Sequence, residues 1–251
     1  MRNNRKCALV FIAAALFVGP ALHSQEECST ELKFLISAPA LQTAIASLGL
    51  EKETAGWVDF FDTPELALLE RGLIVRVRRG AANDLTLKVR APASTRQAET
   101  SQLRQQFQCE IDRNGAGEDI SYAVGRKYKP TQAPQNGDEI SRALSEPQKN
   151  LLLKAGISVD WTRVKRVAEV KSTSWETRTQ PGFRRIALEL WEWPANRVLE
   201  VSTRVTGAEN SQSKSAELLQ LMNRKGLPLS EQQGNKTSTV LETVTQTGLR
   251  P

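Results

Sequence analysis

Alternation of apolar and polar side chains is the dominant pattern of the chain. In the stretch GLIVRVRR, Leu73, Val75 and Val77 fall on one side of an extended strand, and Arg76 and Arg78 fall on the other. A similar two-residue period marks seven further segments. The predicted strands are residues 30–36, 56–61, 73–79, 85–90, 103–112, 164–175, 183–191 and 197–205. Eight strands with few helices predict an antiparallel barrel or a curled sheet.

Helical patterns are confined to three segments. Residues 37–50 have a Ser start, an early Pro and apolar residues at helical spacing. Residues 137–156 predict one or two short helices interrupted around Pro147, and residues 213–226 predict an amphipathic helix that stops at Gly226. The segment 114–136, which is rich in Gly, Pro and Gln, is predicted to be a loop.

The polar faces of six predicted strands carry Arg and Lys repeatedly, with a few carboxylates. For any single strand, a polar face in contact with water is the simpler interpretation. If the sheet closes, however, these charges line a lumen and require counter-ions. A surplus of Arg and Lys favours an anion, and the guanidinium fork matches phosphate oxygens.

The first residues have the pattern of a secretory signal peptide. Arg2, Arg5 and Lys6 precede a short apolar run, and a cleavage site is predicted near Ser24–Gln25. An uncleaved membrane anchor is the alternative. No other segment is long and apolar enough to predict a membrane span. We therefore expect a signal peptide over residues 1–24, one domain over residues 25–251, and a secreted or periplasmic protein.

The net charge does not indicate a nucleic-acid-binding protein. The chain has a formal charge of +6, and removal of the three basic residues of the signal peptide lowers it to +3. A general basic field of the kind that attracts nucleic acid is therefore absent from the expected mature chain, so no nucleic-acid partner is predicted.

Two cysteines, Cys28 and Cys109, remain after the predicted cleavage. In an exported chain an even pair suggests a disulfide, and two unpaired buried thiols are the alternative. Both residues fall on the apolar side of their strands. The two sulfur atoms can therefore meet if the first and fifth predicted strands are neighbours.

The segments DFFDTPELALLERGLIVRVRR and LTLKVR together resemble the signature of CYTH domains, the triphosphate tunnel metalloenzymes. The similarity over residues 59–90 is specific. Weaker similarity extends to STELKFLI near the N-terminus and to KGLPLSEQQGNKTSTVL near the C-terminus, where Asn235-Lys236 stands in place of a Ser-Lys element. The resemblance implies a fold of the α+β class that is mainly β. Its architecture is an eight-stranded antiparallel closed tunnel with a few flanking helices.

The resemblance also implies a triphosphate or polyphosphate-like small anion as partner and Mg²⁺ or Mn²⁺ as cofactor. Glu31 and Lys33 are the implied catalytic residues. The candidate anion-binding residues are Lys33, Arg76, Arg78, Lys88, Arg90, Arg104, Arg185, Arg204 and Lys236. The candidate metal ligands are Glu31, Glu110, Glu189 and Glu200. Positive residues that hold phosphate oxygens, together with a metal ion, fit the requirements of phosphoryl transfer.

Several positions depart from the family pattern. Ser29 occupies the first position of the N-terminal Glu-x-Glu-x-Lys motif. The Arg-x-Glu-x-Glu motif aligns with Arg104-x-Gln106-x-Gln108, and the last strand has Ser202 where a second Glu is usual. These departures predict that the anion-binding half of the site is kept while the metal-binding half is reduced.

Three functions therefore remain open. The first is triphosphate binding with metal-dependent hydrolysis, and the second is a non-catalytic module that binds an extracellular polyanion. The third is a scaffold in which Arg76 and Arg78 pair internally with the four glutamates. His23, the single histidine, lies in the predicted signal peptide, which excludes a histidine-based zinc site or catalytic triad from the mature chain. The oligomeric state is not predicted.

Overall fold

The computed structural model describes residues 28–91, 103–194, 196–206 and 210–247. The predicted signal peptide lies outside the described residues. Within these ranges, none of the helices combines the length and the apolar character needed to cross a membrane.

Nine strands close into a barrel in the part of the chain that the structure describes. They are β1 (Ser29–Ile36), β2 (Glu51–Asp62), β3 (Leu73–Gly80), β4 (Asp84–Ala91), β5 (Gln108–Asn114), β6 (Gly117–Lys127), β7 (Lys165–Thr177), β8 (Ile186–Trp193) and β9 (Asn196–Val205). Their order around the barrel is β1-β5-β6-β4-β3-β2-β7-β8-β9, and β9 pairs with β1 to close it. The predicted closed tunnel is confirmed, and its strand number is nine rather than eight.

The additional strand, β6, lies inside the segment that was predicted to be a loop. Its lumen-facing positions include the small residues Ser121, Ala123 and Gly125, and Tyr122 on the other face is fully buried. Because small polar residues and glycine also mark loops, the strand pattern is weak in the sequence. The pairing differs from the prediction as well, since β1 and β5 run parallel and the barrel is therefore mixed.

The helices pack around the barrel and at one of its ends. They are α1 (Leu41–Leu48), α2 (Ala67–Glu70), α3 (Gly137–Ala143), α4 (Glu146–Lys154), α5 (Ser211–Arg224) and α6 (Lys236–Thr247). The predicted helical segments contain α1, α3, α4 and most of α5. Pro147 occupies the first turn of α4, which explains the predicted interruption. Neither α2 nor α6 was predicted.

Two apolar clusters cover the outside of the barrel. In one, α1 and α5 pack on β1, β8 and β9 through residues such as Leu48 and Leu218. In the other, α3 and α4 pack on β3, β4 and β6 through Ile140 and Leu151. Since successive side chains of a strand point to opposite faces, burial of these apolar faces directs the charged faces into the lumen.

A third cluster lies inside the barrel at one end. Val240, Leu241 and Val244 of α6 are buried with Phe60 and Ile74. Phe60 pairs with Arg76 across β2 and β3, so the two side chains share the lumen face. Helix α6 therefore closes this end of the barrel, and its first residues face the charged part of the lumen.

A disulfide joins Cys28 to Cys109, as predicted. It links the residue before β1 to β5, and these strands are direct neighbours. Cys109 belongs to the outer apolar cluster that contains Leu151. The bond therefore fixes the parallel strand pair on the outside of the barrel.

Candidate functional site

The Asp62-Thr63-Pro64 turn holds the chain in position before β3. The buried carboxylate of Asp62 accepts hydrogen bonds from the backbone N–H groups of Thr63, Leu68 and Leu69 at 2.6, 2.8 and 2.9 Å. Burial raises the pKa of Asp62 even though these three bonds oppose the shift. The turn and α2 thus lead directly into β3, which carries Arg76 and Arg78.

Three carboxylates lie close together in the lumen, on the neighbouring strands β1 and β5. Glu31 of β1 is in register with Asp112 of β5, and Glu110 lies two residues before Asp112 on the same face. One oxygen of each group lies within 4.8 Å of the others. We call Glu31, Glu110 and Asp112 the acidic cluster.

Two lysines form ion pairs with the acidic cluster. The Lys33 Nζ atom lies 3.1 Å from Glu31 Oε2 and 2.6 Å from Asp112 Oδ1. The Lys88 Nζ atom lies 3.1 Å from Glu110 Oε2 and 3.0 Å from Asp112 Oδ2. Burial on its own would raise the pKa of Asp112, but the two ammonium groups hold it below its usual value.

A second ion cluster surrounds Lys236 at the start of α6. The Lys236 ammonium donates to Glu189, lies 2.8 Å from Glu200 Oε1, and sits 4.6 Å from the ring centroid of Trp191. Glu189 also accepts hydrogen bonds from Ser172 and Trp191 at 2.8 and 2.7 Å. Burial alone would raise the pKa of Glu189, but Lys236, Trp191 and Ser172 lower it to about 2. Burial raises the pKa of Glu200.

Two guanidinium groups in the lumen lack a carboxylate partner among the described residues. The Nε atom of Arg76 is buried without a hydrogen-bond partner, and burial together with neighbouring Arg78 lowers the pKa of Arg76. The Nε atom of Arg90 is likewise buried without a partner, while its Nη1 donates to Ser238 Oγ at 3.0 Å. Carboxylates act on these two groups only from beyond ion-pair distance: Asp84, Glu189 and Glu110 on Arg76, and Asp119 and Asp112 on Arg90.

A cavity of ≈ 70 Å³ lies between these groups. Its lining residues are Lys33, Ile74, Arg76, Thr86, Lys88, Arg90, Asp112, Trp191, Glu200, Asn235, Lys236 and Thr237. Asn235 precedes α6, and Lys236 and Thr237 begin it. The Asn235 side chain accepts a hydrogen bond from the Thr237 N–H at 3.0 Å. We call this space the inner cavity. Five of its lining residues are basic and two are acidic. Since Lys33, Lys88 and Lys236 form ion pairs with carboxylates, Arg76 and Arg90 are the cations of the lining that an anion could pair with.

The structure separates the predicted anion-binding residues into two groups. Lys33, Arg76, Lys88, Arg90 and Lys236 line the inner cavity. The other four lie outside this lining, and they are Arg78, Arg104, Arg185 and Arg204. The tunnel therefore presents five of the nine predicted basic residues to one space.

The four outer arginines have different surroundings. Arg78 forms an ion pair with Asp84, and Arg204 lies 3.3 Å from Glu110. Arg185 precedes β8 and pairs with Glu176 on the surface, so its predicted position on a lumen strand is wrong. Arg104 lies in a helical turn over residues 103–106 before β5 begins, so its predicted strand position is also wrong. Strand alternation cannot orient residues that lie beyond the strand ends.

The four predicted metal ligands do not form one set. Glu31 and Glu110 belong to the acidic cluster, whereas Glu189 and Glu200 bind Lys236. Sequence reasoning missed Asp112, the most buried member of the cluster. The alternation Gln108, Glu110, Asp112 carries the signal, and the lumen carboxylates of β5 lie four residues after Gln106 and Gln108.

The strand positions of Glu110 and Asp112 also correct the predicted loss of acids. The sequence predicts that the amides of Gln106 and Gln108 replace two family carboxylates. Gln106 instead lies in the helical turn, while Glu110 and Asp112 supply two lumen carboxylates on β5. The metal-binding half of the tunnel therefore keeps more carboxylates than the sequence predicted.

These features define a closed barrel whose lumen combines basic residues with a three-carboxylate cluster. A family model for the CYTH domain matches residues 28–180, and the chain belongs to this family. No curated protein is similar enough in sequence to match the chain.

Solved structures that resemble the fold include the following two. One is a Hippeastrum protein assigned as an adenylyl cyclase and described as having a dominant triphosphatase activity. It is 17% identical, with a TM-score of 0.60, and the match covers 85% of this chain and 94% of that chain. The other is a protein from Bacillus halodurans assigned as an adenylate cyclase. It is 14% identical, with a TM-score of 0.57, and the match covers 85% of this chain and 97% of that chain.

Proposed function

We propose that the chain binds a triphosphate in its tunnel and hydrolyses it with Mg²⁺ or Mn²⁺. The observation that carries this proposal is Arg76, whose buried Nε has no hydrogen-bond partner beside a cavity that four further basic residues line. A buried cation without a counter-ion is costly, and a phosphate chain supplies several negative oxygens at once. Family membership and the triphosphatase activity described for the Hippeastrum protein support the same substrate class.

Arg76 and Arg90 would bind phosphate oxygens directly, because neither has a carboxylate partner among the described residues. Lys33 and Lys88 would turn from the acidic cluster towards the phosphates. The backbone N–H groups at the start of α6 add positive potential beside Lys236. Positioning and charge neutralisation of this kind are the main requirements of phosphoryl transfer.

The acidic cluster fits Mg²⁺ or Mn²⁺ because its donors are carboxylate oxygens, which these hard cations prefer. Glu31, Glu110 and Asp112 would hold the ion next to the inner cavity. When bound, such an ion supplies Lewis-acid charge to a phosphoryl oxygen and to the attacking water. In this proposal Glu31 acts as a metal ligand and Lys33 as a phosphate contact.

Binding without hydrolysis is the second candidate function. The ion pairs of Lys33 and Lys88 with the acidic cluster favour it, because both ammonium groups occupy oxygens that a metal ion needs. A purely structural role is less consistent with the site. The scaffold hypothesis requires Arg76 and Arg78 to pair with the four glutamates, but Arg78 pairs with Asp84 and Arg76 makes no ion pair with a described residue.

The test is release of inorganic phosphate from tripolyphosphate, with Mg²⁺ or Mn²⁺ and with excess chelator. We expect metal-dependent release by the wild-type protein and its loss in Asp112→Asn and Arg76→Met. Arg163→Gln, on the surface beside Glu65, is the matched control and should retain activity. Binding without release in either metal would select the non-catalytic function. Neither binding nor release would contradict both candidates.

We also propose that the mature protein works in an oxidising compartment outside the cytoplasm. The Cys28–Cys109 disulfide and the N-terminal signal-peptide pattern support this proposal. Mass spectrometry of the protein isolated from its native cells, after thiol alkylation without reduction, would test it. We expect an N-terminus near Gln25 and no alkylated cysteine, and a retained leader with free thiols would contradict the proposal.

A further inference from the structure

The acidic cluster is built from only two neighbouring strands. Glu31 comes from β1, and the other two carboxylates come from β5. The two strands run parallel, and their pairing begins at Ser29 and Glu110. Among the described strands every other neighbouring pair is antiparallel and has more paired residues. Since parallel pairing is also slightly less stable per residue, the acidic cluster spans the weakest strand pair of the barrel.

The carboxylates themselves push these two strands apart. One oxygen of each group lies within 4.8 Å of the others, and like charges at that distance repel. Lys33 offsets part of this repulsion, because its ammonium bridges Glu31 on β1 and Asp112 on β5. In the proposed function Lys33 turns towards the phosphates and gives up this bridge. A link that does not depend on Lys33 is then required to keep the carboxylates of the two strands together.

The Cys28–Cys109 disulfide is such a link. Cys28 directly precedes Ser29, and Cys109 directly precedes Glu110, so the bond lies beside the first paired residues of the two strands. The Ser29 hydroxyl also donates a hydrogen bond to the Cys109 carbonyl at 3.4 Å. Both cysteines belong to the outer apolar cluster, and neither lines the inner cavity. The bond therefore acts on the carboxylates only through the backbone of β1 and β5.

We propose that the Cys28–Cys109 disulfide positions the metal ligands. It holds β1 and β5 at the register and spacing that bring Glu31, Glu110 and Asp112 around one divalent cation. This inference rests on the proposed function, because it takes the acidic cluster to be the metal site. The role goes beyond stabilisation of the fold, which a cross-link elsewhere on the barrel would also provide. Tight metal binding is then a property of the oxidised chain, and the chain with two free thiols binds the same ion weakly.

Three variants separate this positioning role from stability. The unlinked variant, Cys28→Ala/Cys109→Ala, removes the bond. The relinked variant adds Thr30→Cys/Ile111→Cys to it, and these two positions pair in register on the same outer face of the strands. The control variant, Ile140→Ala, also lowers the stability, because it removes a fully buried side chain under α3, but it leaves the β1–β5 pair intact.

Calorimetry gives two affinities for each protein. The first is for Mn²⁺ titrated into protein saturated with imidotriphosphate, a non-hydrolysable analogue of tripolyphosphate, and the second is for imidotriphosphate alone in chelator. We expect the unlinked variant to bind Mn²⁺ ~10–100-fold more weakly than wild type, as when groups that orient metal ligands are removed. Its affinity for imidotriphosphate in chelator should stay within ~2-fold of wild type, because Arg76 and Arg90 lie on β3 and β4. The relinked and control variants should bind Mn²⁺ within ~2-fold of wild type.

Unchanged Mn²⁺ affinity in the unlinked variant would overturn the positioning role and leave the bond as a stabiliser of the fold. An equal loss of both affinities, or the same loss of Mn²⁺ affinity in the control variant, would also overturn it, because general loosening would then account for the effect. Urea unfolding and a thiol assay check that each variant is folded and that the new bond has formed.

The relinked variant decides the question if the unlinked variant does not fold. Wild-type Mn²⁺ affinity in the relinked variant would support the positioning role, and weak binding by that folded, cross-linked protein would overturn it. Wild-type protein that binds imidotriphosphate but no Mn²⁺ would contradict the metal site of the proposed function, and the positioning role with it. That case is recognised from the wild-type titrations alone, before any variant is compared.

Discussion

Arg76 is predicted to lower the stability of the protein while it supports binding. Its guanidinium lies in the lumen with a buried, unpartnered Nε, and burial and Arg78 both disfavour its charge. Methionine has a similar length, an unbranched side chain and no charge to desolvate. Replacement of a whole buried ion pair or triad by well-packed apolar residues is often neutral or raises the free energy of unfolding by ~1–4 kcal/mol, and a single buried cation without an ion-pair partner carries the same kind of desolvation cost.

We therefore expect Arg76→Met to raise the free energy of unfolding by ~1–2 kcal/mol, the lower part of that range, because Arg76 is partly exposed to the lumen. For a chain of this size the corresponding rise in Tm is ~2–8 °C. The same substitution should weaken tripolyphosphate binding ~10–100-fold, since it removes charge-assisted hydrogen bonds worth ~1.5–3 kcal/mol.

Lys88→Met is the matched comparison. It also removes one cation from the lining of the inner cavity, but Lys88 bridges Glu110 and Asp112. Removal of one partner from a buried ion pair leaves uncompensated charge and lowers the free energy of unfolding by ~3 kcal/mol. Both variants should lose affinity, whereas their effects on stability should have opposite signs.

Urea unfolding in a buffer free of phosphate and sulfate measures both effects on stability, and calorimetry with tripolyphosphate measures the loss of affinity. Equal m-values for the variants and wild type would show that two-state comparison is valid. If Arg76→Met lowers the free energy of unfolding as Lys88→Met does, the Arg76 charge is compensated inside the folded barrel, and the reasoning that calls for an anion beside it is refuted.

Three further predictions concern the disulfide, the pH dependence and the metal ligands. Replacing Cys28 and Cys109 together by Ala should lower the free energy of unfolding by ~4 kcal/mol, because the bond closes a loop with a sequence separation of 81 residues, and a loss below ~1 kcal/mol in urea unfolding would contradict this. Because the folded-state pKa of Glu189 is lowered from 4.5 to about 2, its stabilising contribution is complete above pH 4.5 and is lost as the pH falls towards 2. Glu189→Gln should therefore be less stable than wild type by up to ~3 kcal/mol near neutral pH and equally stable near pH 2, and a difference that does not change with pH would be inconsistent with the ion pair to Lys236. Asp112→Asn should weaken Mn²⁺ binding in the presence of tripolyphosphate ~10-fold or more by calorimetry, and unchanged affinity would exclude Asp112 as a ligand.

Strand periodicity predicted much of the tunnel because the outer faces are strongly apolar. The alternation in 73–79 places Arg76 in the lumen, and the structure shows why: Val75 and Val77 on the opposite face pack under the outer helices. The disulfide was predictable for the same reason, since both cysteines fall on the apolar faces of strands that proved to be neighbours.

Secondary-structure prediction was wrong where the local sequence pattern fits more than one kind of element. The lumen face of β6 is built from Ser121, Ala123 and Gly125, which provide room inside the barrel but resemble a loop in the sequence. The run of amides around Gln106 is compatible with a strand or a helical turn, and the tertiary structure selects the turn. Because residues 103–106 are helical, β5 begins only at Gln108. The predicted strand started earlier, and Asp112 was therefore missed as a lumen carboxylate.

The helix α6 could not have been predicted from amphipathicity alone. Its buried residues Val240, Leu241 and Val244 pack inside the barrel, so the surface that receives them exists only after the strands have closed. Its position brings Lys236 next to Glu200 across a sequence separation of 36 residues. Contacts of this kind depend on barrel closure rather than on local sequence.

The position of tripolyphosphate in a crystal structure of its complex with the protein is the most direct test of the proposed site. We predict phosphate density in the inner cavity, with oxygens on Arg76 and Lys33 and beside the first turn of α6. Phosphate bound only to the outer surface, with the Arg76 guanidinium still unpartnered in the lumen, would contradict the proposal that the tunnel is the binding site.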